Sequence, residues 1–569
     1  LVIPEDKKNE DKRILLSVHM YSPYEFAMKP DMEVDKFTKD IQDQMLDLFK
    51  QLYFKYISKG IHVIVGEMGT VNKNNTMDRI NWGVYYMKSA RRFQFTPFIW
   101  DNNQYDNSKS CEETFGQFMR SDLTWANPEM IDVYLLEASR PLADDPELFR
   151  IEPVDTYDDL DMEIDYGQVE WDDSVTARQI AEEMGFGWNL GNTLDAFENV
   201  EQNQGVGSEM IWGNPETTEE MIDELVNTGF KAVRIPVTWH NHLIDDKYTI
   251  DPEWMWRVKT VVDWCIYKGL YVILNTHHDN ANHNIFPIQY GQGYYPLNKD
   301  AEESERYIYN IWKQIATAFN NGYDHHLVFE GLNEPRMRDL EHEWWYSKDD
   351  LACDEAAEIL NEYNKLVLKA IRDTGGNNEK RFVMVTPLAA SYDFAMNSPF
   401  ALPLDKHNPK NNKIIVSIHM YAPYDLVMNA ESDVTRFTEA HENELKANFQ
   451  NLYNKFVRGG YTVIIGEFGA INKDNRNERR FWGNSYVTNA RKNGMTPFIW
   501  DNGIWNNTET MAETYGLFLR DQLKWMDQDI VVEYLNAGRI PFPIVEKETG
   551  GDEESNEDYW DKYWSQFDN

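Results

Sequence analysis

Eight short runs of apolar and β-branched residues, separated by helix-length segments, constrain this sequence most. They read "FGWNLGN" (186–192), "AVRIPVTW" (232–239), "YVILNTHHD" (271–279), "LVFEGLNEP" (327–335), "FVMVTP" (382–387), "IIVSIHMY" (414–421), "TVIIGEFG" (462–469) and "PFIWDN" (497–502). Near-continuous apolar runs predict strands buried on both faces, the kind found in parallel sheets with helical crossovers. One crossover is explicit. "TTEEMIDELVNTG" (217–229) opens on threonine, carries apolar residues at helical spacing and closes on glycine. Eight such units predict a (β/α)8 barrel in the α/β class. A doubly wound open sheet is the competing arrangement, and polar residues at nearly every strand end favour closure.

Part of this series occurs twice, at a constant offset of 400 positions. "ILLSVHMYSPYEFAM" (14–28) returns as "IIVSIHMYAPYDLVM" (414–428), "VIVGEMGTVNK" (63–73) as "VIIGEFGAINK" (463–473), and "TPFIWDN" (96–102) unchanged at 496–502. The register holds through Trp125 and Trp525, whereas 176–413 has no first copy. The expected organisation is therefore the C-terminal part of a first barrel at 1–140, carrying the equivalents of strands six to eight. An acidic linker follows at 141–175, with "DTYDDLDMEIDY" at its centre, then a complete barrel at 176–541 and an acidic tail at 542–569.

A formal charge of −41 argues against nucleic acid or an anionic membrane as partner, since both need basic surface. There is no run of ~20 apolar residues to span a bilayer. A neutral ligand suits such a surface, and 14 % aromatic residues would allow sugar stacking beside core packing. Cys111, Cys265 and Cys353 are too few and too far apart for a disulfide framework. The opening "LVIPEDKKNEDKR" lacks the apolar region of a signal peptide, so localisation is not legible there.

Reactive side chains of such a barrel sit at the C-terminal ends of its strands. Those ends supply Asn189, Arg234, His277, His278, Asn333, Glu334, His419, Tyr421, Glu467 and Trp500. Glu334, read as ending strand four, and Glu467, ending strand seven, face each other across one mouth. Two carboxylates across a small cavity are what glycosidic cleavage requires. His277 and His278 beside Asp279 and His283 raise a metal site, but no third ligand at an established spacing is evident, and no metal or cofactor is expected. Trp212, Trp344 and Trp345 fall in loops that rim the mouth, as packing residues or as sugar platforms.

"GLNEP" with Glu334, "SIHMY" with His419 and Tyr421, "IGEFG" with Glu467 and "FIWDNG" with Trp500 resemble glycoside hydrolase family 5. "GWNLGNTLDA" (187–196) and "VRIPVTW" (233–239) extend the resemblance over all eight strands. It implies a retaining endo-β-1,4-glucanase of the cellulase kind, acting on cellulose or related β-glucans. Xyloglucanase, xylanase and mannanase activities remain open within the family. By the same resemblance Glu467 is the nucleophile, held as an anion by Arg234 and the Tyr421 phenol. Glu334 is the acid and then the base, its proton retained by the nearby charge of Glu467. Asn333 is implied to bind the sugar 2-hydroxyl, His419 to orient Glu334, His277 to support Glu467 and sugar hydroxyls, and Trp500 to offer a face to the pyranose. A polymeric substrate suggests that the parent protein is secreted or surface-bound. A non-catalytic glycan-binding protein is the alternative from another class.

The first copy keeps His19, Tyr21, Glu67 and Trp100 but has no "NEP", no arginine on a second strand and no "NTHHD". A nucleophile without its acid cannot expel a poor leaving group, so this copy is expected to be inert.

Overall fold

The computed structural model describes residues 14–30, 34–57, 61–108, 112–121, 123–138, 169–198, 205–281, 293–408, 410, 412–506 and 512–544. The chain divides into two compact units, Leu1–Arg150 and Ile151–Asn569.

The larger unit contains a closed barrel of eight parallel strands. In chain order these are β1 (Gly187–Asn189), β2 (Ala232–Ile235), β3 (Tyr271–Asn275), β4 (Leu327–Glu330), β5 (Val383–Val385), β6 (Ile414–His419), β7 (Thr462–Phe468) and β8 (Met495–Ile499). Each pairs with its neighbours in sequence, and β8 closes onto β1 through Phe498↔Gly187 and Ile499↔Trp188. All eight runs read from the sequence thus become strands, and the open sheet is excluded. Every residue of all eight strands is buried. The helix expected at 217–229 runs Glu219–Thr228 and stops at Gly229, whose φ of 109° a side chain would disfavour.

The barrel's interior follows from the two-residue period of a strand. Ala232, Ile273, Val328, Ile415, Ile464 and Phe498 belong to one apolar cluster toward the strand N-termini. Two residues further along the same strands stand Arg234, Asn275, Glu330, Ser417, Gly466 and, just past β8, Trp500. The lower layer is an apolar plug, and the layer above it is polar. That change of chemistry within one step along each strand is what creates a site at this end.

The boundary drawn at 175 moves. Val169 N–H donates to Asn321 O at 2.8 Å, and Trp171 is buried in the apolar cluster against Phe382. Residues 169–175 are therefore part of the barrel unit, while the acidic centre of the expected linker lies outside the described residues. At the other end Phe542 joins the same cluster, and 545–569 lie outside the described residues.

The smaller unit has three parallel strands, Leu16–His19, Val63–Met68 and Thr96–Ile99, in that spatial order. Its helices Lys39–Lys55, Thr76–Arg92 and Pro128–Ala138 correspond in sequence to those around β6–β8. Packing is reproduced as well. Trp82 Nε1 donates to Ser22 O at 2.9 Å, and Trp482 Nε1 donates to Ala422 O at 2.9 Å.

Candidate active site

Arg234 is the centre of the polar layer, fully buried. A buried cation is tolerated only when its donors are met, and here they are met by four side chains from three strands or the turns that follow them. Its Nε donates to Glu330 Oε2 at 2.7 Å, its Nη1 to Glu467 Oε1 at 2.7 Å and Asn189 Oδ1 at 2.9 Å, and its Nη2 to Asn333 Oδ1 at 2.6 Å. Burial alone would lower its pKa, but Glu330 and Glu467 raise it above the ordinary guanidinium range.

Glu467, next to last in β7, is 5 % exposed. Its second oxygen accepts the Tyr421 hydroxyl at 3.0 Å, and burial followed by this carboxylate pushes the phenol well above its usual pKa. Gly466 before it is required by close approach. A Cβ there would meet His419 Nε2 at 2.9 Å and Ser417 Oγ at 3.1 Å.

Glu334 does not end β4, as the sequence suggests; that strand stops at Glu330, and the acid lies in the turn beyond. Its Oε1 meets His419 Nδ1 at 2.9 Å, and its Oε2 lies 3.6 Å from Arg336 Nη1. One oxygen of Glu334 and one of Glu467 approach within 4.8 Å. The expectation that the nearby charge of Glu467 retains the proton of Glu334 is corrected. Burial raises the Glu334 pKa, but the His419 hydrogen bond and the charges of His419, Arg336 and Arg234 outweigh it and carry it below the ordinary value. Burial lowers His419, while Glu467 and the bond to Glu334 raise it above its ordinary value. Glu334 and His419 therefore titrate as one coupled pair, the carboxyl lowered and the imidazole raised.

The remaining expected residues are placed as follows. Asn189, fully buried, donates to Gly466 O at 3.0 Å and Ile499 O at 3.2 Å, so it ties β1 to β7 and β8 and supports Arg234. His277 stacks parallel to Trp500 at 5.6 Å, and its Nε2 lies 4.0 Å from Glu467 Oε1. Burial, then the neighbouring His278 and Arg234, hold His277 well below the usual pKa, so it is neutral. His278, less buried, sits beside Phe197 and Trp212. Trp212 is part-buried with its Nε1 on Phe197 O, whereas Trp344 and Trp345 are 46 % and 52 % exposed, with Trp344 stacked on Arg336 at 4.1 Å.

The third partner that sequence spacing did not supply to the histidine pair is Asp195. Its Oδ2 is 3.5 Å from His278 Nε2 and 4.0 Å from His277 Nε2. Asn275 Nδ2 donates to His277 Nδ1 at 3.2 Å, which leaves the proton of neutral His277 on Nε2, facing Asp195 as a donor rather than a ligand. His283 lies outside the described residues.

A family model described as "Cellulase (glycosyl hydrolase family 5)" matches residues 2–106 and 194–506, more than half of the chain. The chain belongs to glycosyl hydrolase family 5. Endoglucanase A of Clostridium longisporum is 40 % identical over 360 residues, which cover 62 % of this chain and 64 % of that relative. A family 5 lichenase mutant from Caldicellulosiruptor sp. F32, in complex with cellotetraose, superposes with a TM-score of 0.60 at 36 % identity, over 66 % of this chain and 99 % of that one. A broad-specificity endoglucanase from Ruminococcus champanellensis with bound cellotriose gives 0.57 at 38 % identity, over 64 % and 98 %.

Several members of this family 5 site were not read from sequence. Glu330, Asn275, Ser417, Asp195 and Arg336 all join it. Glu330 left a signal, being a charged residue inside the otherwise apolar run "LVFEG". Asp195 and Arg336 left none, since their relevance depends on where turns bring them.

Proposed function

We propose that this chain is a retaining endo-β-1,4-glucanase, hydrolysing internal bonds of cellulose or related β-glucans by double displacement. The observation that carries the reading is the approach of a Glu334 oxygen to a Glu467 oxygen within 4.8 Å. Direct attack needs carboxyls ~5–5.5 Å apart, whereas an interposed water needs ~6.5–9.5 Å. Glu467, oriented by Arg234 and Tyr421, attacks the anomeric carbon and forms a glycosyl ester. The bond to the leaving oxygen breaks as Glu334 protonates it. His419, hydrogen-bonded to Glu334, shares that proton. Water, deprotonated by Glu334, then cleaves the ester and frees Glu467. Arg234 fixes the oxygen of Asn333, so the amide nitrogen is the end turned to a sugar 2-hydroxyl. Trp500 and the exposed Trp344 and Trp345 offer apolar faces to pyranose rings.

The endoglucanase names of the relatives support the substrate class, and the lichenase and broad-specificity titles favour mixed-linkage β-glucan as a further substrate. No helix among the described residues is long and apolar enough to cross a membrane. An insoluble polymer substrate supports action outside the cell.

Proton NMR of the first-formed reducing ends from a soluble cellulose derivative tests the reading. The β-anomer is expected, and an initial α-anomer would overturn it. Turnover of cellulose derivative and mixed-linkage glucan is expected to exceed that of xylan and mannan. Absence of any reducing-sugar release would favour a glycan-binding role instead.

A further inference from the structure

Beneath the guanidinium of Arg234 lies a carboxylate that the cleavage scheme above does not use. Glu330, the last residue of β4, has no exposed surface. Its Oε2 accepts from Arg234 Nε at 2.7 Å and Asn275 Nδ2 at 2.9 Å, and lies 2.6 Å from Arg234 Nη2. Its Oε1 accepts the Ser417 hydroxyl at 2.6 Å. Burying a carboxylate is costly unless it is paired and fully hydrogen-bonded, and the preceding residues of the strand are apolar. A guanidinium is a rigid plane with five donors, so holding its lower edge fixes where the upper edge points. The upper edge points at Glu467 and Asn333.

We propose that Glu330 is a positioning residue for the reaction. It locks the plane of Arg234 from below and shares its single positive charge with Glu467. This rests on the reading of Glu467 as nucleophile and adds a second task to the same arginine. Two carboxylates on one guanidinium leave each less neutralised than a single one would be. Glu467 is thus held in place without losing the electron density that attack requires. A carboxylate that stabilised the barrel without sharing the charge of Arg234 would leave the titration of the site unchanged.

The groups that face this cluster from the packed elements are Asp195 after β1, His277 and His278 after β3, and Glu334 and Arg336 after β4. His419 and Tyr421 face it from the end of β6, and Glu513 from beyond β8. Glu330→Gln leaves all of them in place. Its amide oxygen can keep the bonds from Arg234 and Asn275, and its amide nitrogen can donate to Ser417, so charge is lost while shape is kept.

The test is the pH profile of kcat/KM on 2,4-dinitrophenyl β-cellobioside. Its leaving group needs no proton from Glu334, so the acid limb reports the ionised nucleophile. In Glu330→Gln, Arg234 serves one carboxylate instead of two, and the acid limb is expected to move about one unit to lower pH. kcat should fall roughly tenfold with KM within about threefold of wild type. The limb's position does not depend on how much of the protein is folded. An unmoved acid limb in Glu330→Gln would overturn the proposal, whatever the rate. Glu330→Asp keeps the charge but draws it back by one methylene. It is expected to lower kcat roughly tenfold with the limb in place, and wild-type turnover by that variant would also overturn the proposal. Glu467→Ala separates the two readings. Full loss of turnover on this substrate supports the nucleophile assignment, and retained turnover sinks that assignment independently of the Glu330 result.

Discussion

The two copies of the β6–β8 stretch carry the same residues in different surroundings. In both, a tyrosine hydroxyl donates to the strand glutamate, Tyr421 to Glu467 at 3.0 Å and Tyr21 to Glu67 at 2.9 Å. In both, the ladder slips at the same histidine, so that His419 pairs with Glu467 and His19 with Glu67. The backbone of the half-site is therefore a local property of this stretch. Its electrostatics are not. In the closed barrel His419 Nδ1 bonds Glu334 at 2.9 Å and stays 3.7 Å from Glu467, because Arg234 occupies that side. In the open sheet His19 lies 3.2 Å from Glu67 itself, and its side chain is 55 % exposed against 2 % for His419. Phe98 and Trp100 are 54 % and 40 % exposed where Phe498 and Trp500 are buried. Reactivity thus depends on the five strands that supply Arg234, Asn333 and Glu334 and exclude water.

The sharpest way to break this comparison is to remove each glutamate in turn. Glu467→Ala is expected to lower kcat/KM on a cellulose derivative by on the order of 10⁴-fold. Glu67→Ala should leave it unchanged, and a loss in the Glu67 variant would show that the open sheet takes part in turnover.

A smaller effect is expected at the histidines. His419→Ala should cost on the order of 10²-fold on natural substrate, with much of the loss recovered on the dinitrophenyl glycoside. The direction with pH follows from what holds the proton. In wild type it is shared with an imidazole raised above its ordinary ~6.5, and in the variant it is left to a carboxyl whose ordinary value is ~4.3. The alkaline limb of kcat/KM should therefore move to lower pH. His19→Ala should move neither rate nor limb.

The smallest contrast is at the phenols. Tyr421→Phe removes one hydrogen bond to a buried carboxylate, worth about 1.5–3 kcal/mol, and should lower kcat roughly ten- to a hundredfold. Tyr21→Phe should be silent in the same assay. Equal losses in both variants would mean that the two half-sites are coupled.

Much of this was legible in the residues. Eight β-branched runs and their crossovers are a local pattern, and the barrel follows from counting them. Glu467 and His419 were readable because they sit at the ends of strands, where side chains alternate with a known period, and Tyr421 because it follows two residues after its strand ends. Glu334 was readable as a residue but not as a position, because the strand ends four residues earlier and only the turn carries it to His419. Trp171 was hidden in an acidic stretch whose composition masks a side chain that packs under the barrel.

The sequence by itself determined the barrel, the repeat, the family and the two carboxylates, because strand period, helix punctuation and motif order are properties of neighbouring residues. Tertiary structure alone decided which charges meet. Arg234 joins residues 45, 96, 99 and 233 positions away, and the protonation of Glu334 depends on His419, 85 positions away. Electrostatic energy depends on distance through space and on exclusion of water, and neither is written in the order of the chain until the barrel closes.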